Sequence, residues 1–292
     1  MDHRSSLRGR ALVLGGGGSS ANAWLIGVVA GLAAQGVDIS DADLVVGTSA
    51  GATTAAQLAF QPATELYGEV LSQPPVAPRA AAGPTLDHLA RVRSVSAASV
   101  DADDMRRRMG RSALELAENA DGSATERWRS IVAARLPHAD WPERRLLVTA
   151  VDAHTGEGLA LDRDSGLDLV DAVAASTSGG GAYRVGDRAF IDGGYWRNEN
   201  AQLAAGCERV LVLSPLGGRT LHPLAWRMQL EAQVQDLEAG GSEVATVVPD
   251  AAALEAMGDN MMDVARRPAV ATAGYAQGRS LADTLATFWP AA

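Results

Sequence analysis

Ser49 stands in Gly47-Thr48-Ser49-Ala50-Gly51, a G-x-S-x-G pattern. There a serine occupies a strained turn between strand and helix, and its hydroxyl is pushed clear of the backbone as a nucleophile. The setting agrees: the apolar run Leu44-Val45-Val46 leads straight into it, and an Ala- and Thr-rich stretch follows. A tight strand-to-helix turn with an incidental serine is the plainer alternative. Gly15-Gly16-Gly17-Gly18 ends an earlier apolar run, so several backbone N–H groups can converge on one point as a nest for negative charge. Such a nest serves either as an oxyanion hole for acyl transfer or as a phosphate cradle for a dinucleotide. Gly16 to Ala21 does fit G-x-G-x-x-A. A nucleotide site, however, calls for an acid at the end of the second strand, and Gly47-Thr48-Ser49 stands there instead. Asp192-Gly193-Gly194 supplies a carboxylate at the end of a further apolar run; taken alone, it reads as a turn.

The histidines bear on whether a triad is present. A hydrolase with the order Ser, Asp, His would have to use His222, which follows Asp192 in the polar stretch Gly217-Gly218-Arg219-Thr220-Leu221-His222-Pro223. His222 reads as a solvated loop residue, as does His154 beside Thr155-Gly156. No His pair at i, i+4 with an acid nearby suggests zinc. Cys207 is the single cysteine, which excludes an intramolecular disulfide and a cysteine-based metal site. Arg106-Arg107-Arg108 reads as a solvated helix face. Tyr195 and Trp196 serve equally as acyl-pocket walls or as core.

The elements that must carry these residues alternate. Residues 11–14 read as a buried strand, 21–35 as a buried helix, 43–46 as a second strand broken at Gly47, and 50–60 as a helix packed closely on a sheet. Strand-helix-strand-helix is the pattern of a parallel α/β sheet. Four prolines make residues 73–84 irregular, a connector or lid hinge. Amphipathic helices over 103–117 and 125–136 follow, giving a helical insertion at about 85–136. Residues 146–151 read as a strand, Thr155 to Gly158 as a hairpin turn into 159–161, and 167–176 as a helix. Strands at 188–191, 209–213 and 243–248, with a helix over 223–239, complete the reading as one domain over 1–292.

Composition restricts the partners. The 292 residues are 47% hydrophobic and 21% charged, a globular balance with enough chain for a large core. A formal charge of −10 argues against nucleic acid and against tight binding to anionic lipid surfaces. Residues 1–8 carry no apolar leader segment, and no apolar run approaches 18 residues, so a soluble, cytoplasmic protein is expected.

In their order and spacing, the glycine run, G-T-S-A-G and D-G-G resemble the patatin-like phospholipases, and the likeness extends from about Arg10 to Leu213. It implies a three-layer α/β/α hydrolase with a mostly parallel central sheet, acting on lipid or small ester substrates with no metal or organic cofactor. It further implies a Ser-Asp dyad in which Ser49 is the nucleophile and Asp192 its base, with Gly16, Gly17 and Gly18 supplying oxyanion-hole N–H groups. Transient contact with a membrane surface follows from such substrates; the oligomeric state does not follow. Ser19-Ser20-Ala21 and the short Ser178-Gly179-Gly180-Gly181 loop depart from the common family pattern, which bears on the acyl pocket. They also keep open a catalytically silent, lipid-binding or scaffold member of the same fold.

Overall fold

The computed structural model describes residues 9–74, 84–118 and 123–290. Most of the prolyl connector, residues 75–83, lies outside them, as do residues 1–8, on which the leader reading rests. The described residues form an eight-stranded sheet with helices on both faces. Strand β1 (Arg10–Leu14) is central, between β2 (Leu44–Thr48) and β7 (Arg209–Leu213). Beyond them lie β3 (Arg145–Asp152) and β8 (Glu243–Val247), and all of these pairings are parallel. Antiparallel pairing appears only around β3, which takes β4 (Gly158–Leu161) and β6 (Arg188–Asp192); β6 in turn pairs with β5 (Tyr183–Val185).

Parallel strands buried on both faces must be apolar throughout, and β1 shows the resulting division. Leu12 and Leu14 enter the core on one face of the sheet, while Ala11 and Val13 enter the core on the other, as the two-residue side-chain period requires. The first face is covered by α1 (Gly18–Ala33), α2 (Ala50–Leu58), α3 (Ala63–Ser72), α7 (Leu169–Ser176) and α10 (Arg267–Phe288). The second is covered by α8 (Leu230–Ala239) and a 3₁₀ turn at Ala201–Ala204. A third apolar cluster seats α4 (Pro84–Ala98) and α5 (Ala102–Glu118) on β3 and β6, through Val92, Met105, Met109 and Ala113 against Val151 and Ile191. A short α6 (Ala124–Ala133) and α9 (Ala251–Met257) complete the helices of the described residues.

Several boundaries differ from the expectation. Strand β2 continues through Gly47 to Thr48, because the glycine pairs with Val148 in the ladder. The helix expected over 223–239 begins only at Leu230: Pro223 leads into a 3₁₀ turn at Leu224–Trp226, and Arg227 then turns left-handed at φ 56°. Helix α10 has no counterpart in the sequence reading. Its glycines explain how it fits: Gly274 and Gly278 lie against the backbone of Trp24 and Val28 in α1, while Gly27 and Gly31 of α1 lie against that of Ala271 and Tyr275, so closely that a methyl on Gly31 would stand 2.2 Å from the Tyr275 carbonyl oxygen.

Candidate active site

Ser49 and Asp192 are 143 residues apart, and the pairing of β3 brings them together. Residues 148 and 149 of β3 pair with both β2 and β4, and residues 150 and 151 pair with both β4 and β6. A strand has two sides, so β2 and β6 share one side of β3, end to end and running in opposite directions. Thr48 stops opposite Thr149, and Asp192 stops opposite Ala150. The residue after Thr48 therefore meets the last residue of β6.

Ser49 is held at φ 53° and ψ −113°, a conformation that costs about 1–3 kcal/mol in a residue other than glycine. Its surroundings enforce that turn. A methyl on Gly51 would lie 1.9 Å from the Leu14 carbonyl oxygen, and one on Gly47 would lie 2.6 Å from Ala52 Cα. The Ser49 N–H donates to Ser176 Oγ at 2.9 Å, which ties the turn to the end of α7. With the backbone so fixed, Ser49 Oγ donates to Asp192 Oδ2 at 2.8 Å.

The carboxylate is fixed from the opposite side. Gly194 N–H donates to Asp192 Oδ1 at 2.8 Å, and the Asp192 N–H donates to the Ser178 carbonyl at 3.0 Å. Burial pushes the Asp192 carboxyl up to about 6, against the lowering influence of the Gly194 N–H and the Ser49 hydroxyl. Gly193 is required where it stands, since a methyl there would come 2.3 Å from Thr149 Oγ1.

The glycine run divides. Gly16 is buried, and its N–H donates to the Asn198 carbonyl at 3.1 Å. The expectation of an oxyanion donor at Gly16 is therefore corrected: its N–H is already engaged. Its lack of a side chain serves close approach instead, for a methyl would stand 3.3 Å from Ser49 Cβ. Gly17 and Gly18 are partly exposed at the entry to α1, with φ of 147° and 74°. Their N–H groups have no acceptor among the described residues.

The two histidines weighed for a triad make no bond to Ser49 or Asp192. His154 is exposed in the β3–β4 turn, where its N–H donates to Asp152 Oδ1. His222 is buried rather than solvated; its Nδ1 lies 2.8 Å from Thr220 Oγ1, and burial lowers it to about 4. Arg106 also turns inward from its helix, donating to the Gly156 carbonyl at 2.7 Å. Tyr195 is core, and its hydroxyl donates to the Gly179 carbonyl at 2.9 Å.

Residues 12–205 match the model of the patatin-like phospholipase family. The chain belongs to that family. No curated protein matches the chain. Patatin-like phospholipases are lipid acyl hydrolases, and the mostly parallel sheet flanked by helices is the fold of the family. No helix among the described residues is long and apolar enough to cross a membrane.

Sequence reasoning missed the polar support beneath the Ser49–Asp192 pair. Asn200 is left-handed at φ 56°, and its buried Nδ2 lies 3.0 Å from Thr48 Oγ1, 3.2 Å from Thr149 Oγ1, 3.2 Å from the Gly193 carbonyl and 2.6 Å from the Arg197 carbonyl. It thus joins β2, β3 and the segment after Asp192. Glu199 beside it is buried and accepts from Ser214 Oγ at 2.7 Å and Asn198 Nδ2 at 2.9 Å, with burial raising its carboxyl. One signal was available: asparagine is among the few residues that accept a left-handed backbone.

Proposed function

We propose that the protein cleaves carboxylic esters of lipids through a covalent acyl-Ser49, with Asp192 as the base. The observation that carries this reading is the 2.8 Å bond from Ser49 Oγ to Asp192 Oδ2 at a strained turn. Asp192 takes the hydroxyl proton as Ser49 Oγ attacks the ester carbonyl. The free N–H groups of Gly17 and Gly18 meet the oxyanion that forms, with the N-terminus of α1 adding its dipole. Collapse breaks the bond to the alcohol oxygen, which leaves with the proton held on Asp192. A water molecule then repeats the sequence on the acyl-enzyme and regenerates Ser49.

A carboxylate with the usual pKa near 3.9 is a weak base. One pushed up to about 6 is closer to the working pH, where a base is most effective. The test is hydrolysis of p-nitrophenyl butyrate together with labelling by a fluorophosphonate. Wild-type protein is expected to turn over the ester and to be labelled at Ser49. Ser49→Ala is expected to lose about 10³-fold or more in kcat with its thermal melt retained. Absence of both turnover and labelling in folded wild-type protein would leave the silent lipid-binding reading in its place.

A further inference from the structure

We propose that His88 is a substrate-binding residue of this site, donating a hydrogen bond from Nε2 to the alcohol portion of the ester. The proposal rests on the assignment of Ser49 and Asp192 given above, and it names the side of the substrate that the site reads.

The geometry is fixed around Gly179, in the loop between α7 and β5. A methyl group built on Gly179 would stand 3.9 Å from Asp192 Oδ2, 3.9 Å from His88 Cε1 and 4.0 Å from His88 Nε2. These are its three nearest neighbours, all at ordinary contact distance. An open point therefore lies between the carboxylate oxygen that bonds Ser49 and the edge of an imidazole carried by α4.

The proton on that imidazole can be placed. Arg91, one turn further along α4, has Nη2 3.2 Å from His88 Nδ1. A guanidinium has donors only, so Nδ1 must accept, and in the neutral ring the hydrogen then resides on Nε2. Burial and the Arg91 charge both hold His88 below its ordinary value, which keeps the ring neutral. Arg91 is itself held by the Gly179 and Gly180 carbonyls, each 3.2 Å from the same nitrogen. The Tyr195 hydroxyl donates to the Gly179 carbonyl as well, and its ring centroid lies 6.4 Å from that of His88. The imidazole is thus a fixed N–H donor facing the gap beside Asp192.

The direction of proton transfer decides which part of the substrate fills that gap. The proton taken by Asp192 Oδ2 must pass to the departing alcohol oxygen, so the alcohol side of the ester lies against Oδ2. The acyl oxygen lies toward Gly17 and Gly18. A substituent next to the leaving oxygen therefore comes within reach of His88 Nε2–H. A glycerol hydroxyl there would accept that hydrogen bond, whereas an alkyl alcohol would leave the donor unpaired, and a site built on a polar group discriminates against the partner lacking it.

The test holds the acyl group constant and varies the alcohol: kcat/KM on glyceryl monobutyrate and on propyl butyrate, followed by acid release, for wild type, Ser49→Ala and three His88 variants. His88→Phe is expected to lose about tenfold on the glyceryl ester and less than about twofold on the propyl ester, the scale of one hydrogen bond. His88→Gln, whose amide nitrogen reaches the Nε2 position, is expected to keep the glyceryl rate within about threefold of wild type. His88→Asn reaches only the Nδ1 position and can retain the contact with Arg91. It is expected to show the same selective loss as His88→Phe, and it tests the idea should the phenylalanine variant not fold. Equal loss on both esters, or no loss on either, overturns the role of His88 while leaving Ser49 and Asp192 in place. Hydrolysis of both esters by Ser49→Ala, or of neither by wild type, overturns the proposed function and this inference together.

Discussion

Asp192 carries opposed demands, and both can be measured. Burial raises its carboxyl to about 6, so the carboxylate that the proposed base role requires forms only as pH rises through that value. The acid limb of kcat/KM is expected to have an apparent pKa of about 6, whereas a base left in water would show one near 4. The same shift bears on stability with the opposite sign. The folded protein holds this proton more tightly than the unfolded chain does, so the stabilising contribution is complete below about pH 4 and lost as pH rises through 6. A displacement of roughly two units corresponds to about 3 kcal/mol at most. Asp192→Asn keeps the shape but cannot take the proton. It is therefore expected to abolish turnover and to raise Tm by several degrees at pH 8, with little change at pH 4. Thermal melts of both proteins at the two pH values check this; a variant less stable than wild type at pH 8 would contradict the buried, charged carboxylate.

At the scale of elements, the site depends on β2 and β6 ending face to face along one side of β3, and Asn200 is the side chain that spans the junction. Its amide hydrogens are shared among acceptors from β2, β3 and the turn after Asp192. Removing them leaves buried hydroxyl and carbonyl oxygens with fewer donors and places a less tolerant residue in a left-handed conformation. Asn200→Ala is expected to cost about 2–3 kcal/mol and to lower kcat more than it changes KM. Asn200→Asp sets a charged acceptor against acceptors and is expected to be worse on both counts. Denaturant unfolding together with ester kinetics separates the effects. Loss of stability with kcat unchanged would show that the network supports the fold without aligning Ser49 and Asp192.

For the whole molecule, the contact between α1 and α10 ties the chain's last described helix to the helix that begins at the glycine run. Trp24 is fully buried and donates from Nε1 to Gln277 Oε1 at 2.9 Å, and glycines on both helices allow their backbones to touch. A methyl on Gly31 has no room, because the atom it meets is backbone. Gly31→Ala is therefore expected to destabilise by about 1–3 kcal/mol, despite the better helix propensity of alanine. The melt of that variant should be displaced downward while kcat/KM at 25 °C stays near wild type, since Ser49 and Asp192 lie at the other end of the packed layers. A stabilised Gly31→Ala would mean that the two helices do not pack this closely.

What the sequence determined by itself is local. The run Leu44-Val45-Val46 before G-T-S-A-G marks strand, turn and helix, because apolar length and glycine placement act over a few residues. The same holds for the glycine run and for Asp192 at a strand end, and the order of the three segments was enough to suggest the family. Other features were decided only when distant segments met. Which glycine N–H groups are free depends on Asn198, 182 residues beyond Gly16, because a hydrogen bond to its carbonyl engages Gly16 and leaves Gly17 and Gly18 open. His222 read as solvated because its neighbours are polar, yet it is buried beside the Tyr195 backbone and within the influence of Arg106 and Arg197, all distant in the chain. Helix α10 escaped notice because its glycines, which lower helix propensity, are there to let its backbone approach that of Trp24 and Val28 in α1. Burial, hydrogen-bond partners and the raised pKa of Asp192 all arise from contacts across long stretches of chain, and residue spacing alone carries no information about them.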